Sequence, residues 1–342
     1  MARKPALVQG LLAIDKPLGM TSHDAVSAVR RALKERRVGH AGTLDPDASG
    51  VLVVGVGQAT KLLGLLTLDT KRYCARIRFG TATSTDDAAG DVIATAAVPA
   101  RLAEPAVAAR ELAALVGEHL QVPPQVSAVS VDGVRAYARA RAGEHVELEA
   151  RPVRVLEAAL LDVVQDEKGL AWDCTFTVSK GTYIRSLARD LGRDLGTCAH
   201  IEALDRTASG AITRAHCVTL DALAAGGLAA AKAALLDPVW ALGATRYDLT
   251  AREQEAAAVG KRLVARVPLD PARPVALVYE GVVTGVWEVL PGTGTPVAGA
   301  GAAAAEAAAA GAGLVAGAAL VAGAALKCTV NFAQGIEGVR GA

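Results

Sequence analysis

The chain has only five cysteines in 342 residues, Cys74, Cys174, Cys198, Cys217 and Cys328. No two of them stand at C-x-x-C spacing, and none has partner histidines at zinc-ligand spacing. That excludes a disulfide framework and a common four-ligand zinc site; Cys198-Ala199-His200 and His216-Cys217 are too isolated to make a metal site. Reduced, mostly buried thiols are expected, in a chain long enough to bury the cores of one large and one small domain unaided. Net charge is almost absent too: the formal value is +1 and by itself names no partner. MARKPALVQG lacks the apolar core of a signal peptide, so a cytoplasmic protein is expected. A phosphate loop is missing as well. The Gly55-to-Lys61 segment comes near one, but Thr60 stands where G-x-x-x-x-G-K-[ST] needs glycine. The uncharged run Ala307 through Leu326 reaches the ~20 residues of a membrane span. It belongs, however, to a tract, 298–325, in which 23 of 28 residues are Ala or Gly. Such residues contribute little transfer energy. A flexible linker or loosely ordered helix is expected instead of a span.

What charge there is lies unevenly. Residues 1–80 hold 13 Lys or Arg against 6 Asp or Glu, leaving 23 against 29 in the remainder. A basic N-terminal half suits a polyanion, although a run such as Arg30-Arg31 with Lys34, Arg36 and Arg37 also reads as a solvated helix face. Leu11 through Lys16 reads as a strand stopped by Pro17. A helix then starts near Thr21, where Thr21 and Asp24 approximate a capping box. Ala25, Val26, Val29 and Leu33 recur at helical spacing, and Gly39 is expected to end the helix. Val51–Val56 is a buried strand, and Tyr73, Ala75, Ile77 and Phe79 alternate along another. Leu170 through Val178 alternates likewise, and Ile184, Leu187, Ala188, Leu191 and Leu195 return to helical spacing. Strands and helices thus mix in an α+β order. Pro123 through Pro152 reads as an insertion carrying an Asp132-Gly133 hairpin and an Arg-rich stretch, Arg135 through Arg141. Beyond Thr245, Val275–Tyr279, Glu280-Gly281 and Val282–Leu290 form a hairpin in a small β-rich domain.

The most informative stretch runs from Arg37 to Lys61, RVGHAGTLDPDASGVLVVGVGQATK. Pro46 pushes Asp45 out of the α region into extended backbone, so its carboxylate points off a glycine-bracketed loop ahead of an apolar strand. An isolated Asp-Pro among glycines is ordinarily only a turn. Here His40-Ala41-Gly42-Thr43-Leu44-Asp45-Pro46, then Ser49-Gly50 and Gly55-to-Lys61, closely resembles the catalytic-aspartate motif of the pseudouridine synthases, specifically the bacterial family that modifies uridine 55 in the T-loop of tRNA. Ser179-Lys180-Gly181-Thr182-Tyr183-Ile184-Arg185 resembles its second motif. Lys71-Arg72-Tyr73, Leu12-Ala13-Ile14-Asp15-Lys16-Pro17, Thr83-Ser84-Thr85-Asp86-Asp87 and Pro123-Pro124 follow the family from about Leu11 to Gly210. Two departures stand out. Val126 replaces a usual Tyr, and Asp205 in Leu204-Asp205-Arg206 replaces an Arg, which puts one RNA-backbone contact in doubt.

The resemblance implies a pseudouridine synthase fold: a mixed β-sheet with flanking helices and a catalytic cleft over 1–244, with the 123–152 insertion acting as a thumb on the RNA stem. A small C-terminal domain, 245–342, would be of the PUA type. It implies isomerisation of uridine 55 in the T-arm by base flipping, without cofactor or metal, by a cytoplasmic monomer with tRNA as partner, no obligatory protein partner and no membrane. Asp45 becomes the catalytic carboxylate, acting as nucleophile or base beside the sugar. A desolvated carboxylate needs a cation to stay ionised, and Arg185 takes that place. Tyr183 lies by the base for removal of the C5 proton, and Tyr73 offers the stacking platform, worth ~1–3 kcal/mol per base. Lys16, His40 and Leu204 become substrate-binding positions. Without the motifs, Tyr73 and Tyr183 read as core and Arg185 as a solvated helix residue. A tRNA-folding chaperone with little or no catalysis is the binding-class alternative; a guide-RNA-dependent enzyme of the same superfamily is the other.

Overall fold

The computed structural model describes residues 6–67, 70–127, 148–296 and 320–340, with the backbone alone of 130–131 and 134–135. Ser130–Val131 and Val134–Arg135 pair antiparallel, Val131 opposite Val134, as the expected hairpin requires; its Asp132-Gly133 turn, most of the Arg-rich stretch and most of the Ala/Gly tract lie outside the described residues.

Strand β1 (Gly10–Lys16) leads into helix α1 (Ser22–Leu33). The capping box forms as read: Thr21 Oγ1 accepts from Asp24 N at 3.0 Å, and Asp24 Oδ2 accepts from Thr21 N at 2.9 Å. Ala25, Val26, Val29 and Leu33 are buried along one face. The helix stops at Leu33, short of Gly39, because Lys34 turns left-handed (φ 51°) and its N–H closes on the last carbonyls. The main sheet continues through β2 (Val38–Ala41), β3 (Ala48–Val56), β4 (Lys71–Phe79), β5 (Gly117–Gln121), β6 (Arg151–Asp166), β7 (Gly169–Val178), β8 (Ala199–Ser209), β9 (Ile212–Thr213) and β10 (Cys217–Val218). Its order is β10-β1-β3-β8-β4-β7-β6-β5, with β2 also on β3 and β9 on β8. The pairs β1/β10 and β3/β8 are parallel and the others antiparallel, so the sheet is mixed. Helices α1, α2 (Pro105–Ala114), α3 (Ile184–Asp194) and α4 (Leu220–Ala233) flank it, α1 packing on α4 and α3 on β8.

A second sheet follows: β11 (Thr245–Asp248), helix α5 (Ala251–Ala258), then β12 (Leu263–Val264), β13 (Val275–Tyr279), β14 (Val282–Val289) and β15 (Ala325–Ile336), in the order β11-β13-β14-β15-β12. The β13–β14 hairpin turns on Glu280 and Gly281, both at positive φ (49° and 76°), the requirement of a two-residue primed turn. Strand β1 divides its side chains by period two. Leu12 and Ile14 enter the core shared with the helices, whereas Leu11 and Ala13 enter a core completed by Val283, Val286 and Phe332 of the second sheet. Of the five free thiols, expected to be mostly buried, only Cys174 is; the other four are half-buried.

Candidate active site

Asp45 lies on the short connection between β2 and β3, and the peptide groups around it are tied down from several sides. Ser22, in the first turn of α1 and 2 % exposed, donates to the Leu44 carbonyl at 3.0 Å and accepts the Leu44 N–H at 2.8 Å. Lys16 is fully buried; its Nζ donates to the carbonyls of Pro17 (2.9 Å), Met20 (2.7 Å) and Pro46 (3.4 Å). Arg206, 1 % exposed, reaches from β8 to the carbonyls of Val51 (2.7 Å), Gly42 (3.1 Å) and Thr43 (3.5 Å). Burial pushes the Lys16 ammonium below its ordinary pKa, with the Asp45 carboxylate opposing the shift. Three buried polar side chains thus fix a loop that has no regular structure of its own, the preorganisation a reacting group needs.

Arg185 meets the carboxylate from the other side. It is the second residue of α3, only 4 % exposed, with Nε 3.0 Å from Asp45 Oδ2 and Nη2 donating to Oδ1 at 3.2 Å. The Nε approach lacks hydrogen-bond alignment, so Nη2 carries the directional bond. Nη1 donates to the Thr85 carbonyl (2.8 Å) and lies 3.3 Å from Asp87 Oδ2, and Nη2 also donates to the Val126 carbonyl (2.8 Å). One guanidinium therefore serves two carboxylates. The Asp45 side chain keeps 35 % of its surface open, yet it faces a cleft walled by protein. Burial raises its pKa above the ordinary carboxylate value; Arg185 lowers it and Asp87 adds to the rise.

Tyr183 caps the N-terminus of α3. Its peptide is gripped by the buried Gln121 side chain, whose Oε1 accepts the Tyr183 N–H at 2.8 Å and whose Nε2 donates to the Tyr183 carbonyl at 3.1 Å. Burial pushes the phenol pKa up, Arg185 opposing. Ser127 Oγ, itself buried, approaches the phenol closely enough to lower that pKa but without hydrogen-bond geometry. Asp45, Tyr73, Tyr183, Arg185 and Leu204 line one cavity of about 270 Å³, together with Arg206. Lys16 and His40 do not line it. Lys16 sits behind the loop, and His40, on β2, packs edge-on against His23 with ring centroids 5.8 Å apart. Sequence reading misses Ser22, Gln121, Asp87 and Arg206 as site residues; only Asp87 and Arg206 stand within the motifs. A larger open depression of about 710 Å³ excludes Asp45 and is lined by Asp47, Asp162, Asp173, Glu202 and Asp205. Arg76 lines it too, and Asp173, Glu202 and Asp205 are held in ion pairs with Arg76, Arg78 and Arg214; neither Asp45 nor either tyrosine opens onto it, so we place the chemistry in the smaller cavity. At Asp205, the departure from the family pattern, the carboxylate is bonded to Ser49 Oγ (2.6 Å) and to Arg214.

This chain matches two family profiles: "TruB family pseudouridylate synthase (N terminal domain)" over residues 30–184 and "tRNA pseudouridylate synthase B C-terminal domain" over 185–239. The tRNA pseudouridine synthase B of Mycobacterium tuberculosis is 48 % identical over 256 residues, covering 75 % of this chain and 84 % of that one. Its namesake from Corynebacterium aurimucosum is 53 % identical over 201 residues, 59 % of this chain and 67 % of the relative. Among solved structures, an archaeal box H/ACA sRNP Nop10-Cbf5 complex aligns with TM-score 0.58 at 22 % identity over 84 % of this chain and 82 % of the other. An H/ACA RNP bound to a substrate RNA containing 2'-deoxyuridine aligns with TM-score 0.59 at 20 % identity, over 92 % and 83 %. Those two likenesses speak for the fold.

Proposed function

Because the chain belongs to the TruB family of pseudouridylate synthases, we propose that it is a tRNA pseudouridine synthase that isomerises uridine 55 of the T-loop. The observation that carries this reading is the Asp45 carboxylate, paired with a buried arginine and opening, with two tyrosines, onto one cavity. The reaction breaks the bond between C1′ and N1 and forms one between C1′ and C5. The C5 hydrogen leaves as a proton and N1 gains one, so the change is redox-neutral. Asp45 acts beside the sugar as nucleophile or base, and Arg185 favours its ionised form against burial. A target base inside an RNA stack cannot reach this cavity, so the nucleotide is flipped out, with Tyr73 as stacking platform. Tyr183 stands at the end of the path for the C5 proton. Its raised pKa keeps the phenol protonated at neutral pH, so it accepts that proton only by passing its own onward. Leu204 contributes apolar wall. Lys16 acts through the loop, holding the carbonyl after Asp45, and His40 stands on β2, the strand that leads into the loop.

The test is tritium release from C5-labelled uridine in an unmodified tRNA transcript, with wild type beside Asp45→Asn and the modified nucleotide mapped afterwards. Release by the purified wild-type chain alone, mapped to the T-loop and abolished in Asp45→Asn, is expected. Release by Asp45→Asn would overturn the role of Asp45. Binding without release by wild type would favour a chaperone or a partner-dependent enzyme.

A further inference from the structure

We propose that the far end of α1, where it meets the second domain, is a separate docking surface for RNA backbone, used in addition to the uridine cavity. The inference rests on the assignment of an RNA substrate. Arg30, Arg31, Lys34, Arg36 and Arg37 are all exposed at the end of α1 and the turn into β2. Among the described residues, none of the five has a carboxylate at ion-pair distance. The acid between them, Glu35, turns its Oε1 to the Arg37 N–H at 2.7 Å. Cations without counter-ions on one corner are the electrostatic footprint of a polyanion site.

This corner is also shaped. An open groove of about 960 Å³ runs beside it, lined by Lys34, Glu35, Arg36 and Arg37 on one wall, three cations to one acid, and by Ala333 and Gln334 of β15 on the other. Its floor is a glutamine network that joins the two domains. Gln9 Oε1 accepts from Gln58 N at 2.6 Å, Gln9 Nε2 donates to Gln334 Oε1 at 2.7 Å, and Gln58 Oε1 accepts from Ala333 N at 3.1 Å. The walls are therefore held at a fixed separation, and the polar floor suits sugar and phosphate groups better than an apolar segment.

Distance separates this groove from the uridine site. Ser22 at one end of α1 holds the Asp45 loop, and the cations begin where the helix ends. Twelve residues of helix rise ~18 Å, and the nine-residue strand β3 beside it spans ~30 Å. A nucleotide seated at Asp45 therefore leaves the groove to a different stretch of the RNA, so these cations contribute affinity and orientation and leave the chemical step alone.

The test is the triple variant Arg31→Gln/Lys34→Asn/Arg36→Gln in the full chain, with Asn chosen because position 34 is left-handed. Affinity for unmodified tRNA is measured across a salt series, and turnover at saturating tRNA. Removing one phosphate-neutralising cation should make the slope of log K against log salt shallower by ~0.7–0.9, so about two for the triple variant, with low-salt affinity down at least about tenfold and kcat unchanged. A variant with wild-type slope and affinity overturns the groove while leaving the enzymatic reading intact. A wild type that neither binds nor converts tRNA overturns the reading beneath both.

Discussion

Arg185 is the residue at which charge and architecture are hardest to separate, since its guanidinium holds the Thr85 and Val126 carbonyls as well as Asp45. The pH profile separates them. Burial already raises the Asp45 pKa, and Arg185 is the largest influence that opposes it. Arg185→Met removes that opposition, so the carboxyl ionises at still higher pH and the acid limb of kcat/KM should move upward. Lower activity with an unmoved limb would show that the arginine matters only as scaffold. Ser22→Ala tests the loop. It leaves the Leu44 N–H and carbonyl buried without their partner, at a cost of ~1–3 kcal/mol for an unmet group. The expected signature is a fall in kcat of about tenfold or more with little change in KM, and a fall in kcat/KM carried by KM alone would contradict it. Asp45, Tyr183 and Arg185, which the fold brings to one cavity, are legible because each stands in a local string that resembles a family motif. Ser22 and Gln121 are not. Each grips the backbone of a residue 22 or 62 positions away, and a bond from side chain to distant peptide leaves no spacing in the sequence.

At the scale of elements, the site depends on β3 and β8 running side by side in parallel, with Ala48 opposite Leu204 and Gly50 opposite Arg206. That register puts Leu204 and Arg206 next to the Asp45 loop. Gly50 permits it twice over: its φ is +104°, and an added Cβ would run into the Arg206 carbonyl and the Asp205 carboxylate. Gly50→Ala is therefore expected to force the two strands apart. Melting temperature should fall by several degrees, at roughly 2–4 °C per kcal/mol for a domain of this size, and kcat/KM should fall with it. Wild-type values for both would show that the strands can yield without cost. Strands with clean alternation, such as β4 and β7, are legible in the sequence. Strands β6 and β8 are not, because bulges near Leu160 in one and near Ile201 and Arg206 in the other shift the side-chain period within the strand. The end of α1 is misplaced by the sequence reading for a comparable reason: a lysine, not a glycine, takes the left-handed position.

At the scale of the whole molecule, composition indicates a small β-rich C-terminal unit but not how it is joined to the rest. One face of its sheet closes on a core of its own around Leu277, Trp287 and Leu326; the other face does not. Val283, Val286 and Phe332 pack in one core with Leu11, Ala13, Val51 and Val53, which are the back face of the same strands that position Asp45. This coupling is invisible in sequence, because Leu11–Ile14 and Val51–Val56 read as continuous apolar runs and only the fold shows that each buries two faces against different layers. Phe332→Ala tests the coupling. A buried Phe replaced by Ala costs ~3–5 kcal/mol, and with a shared core that loss must be felt by both sheets. Calorimetry should then show one cooperative transition displaced as a whole. Two resolved transitions, with only the one assigned to the C-terminal sheet moving, would mean that the domains fold independently. The groove between Arg36 and Gln334 would then lack the rigid floor that the proposed RNA contact requires.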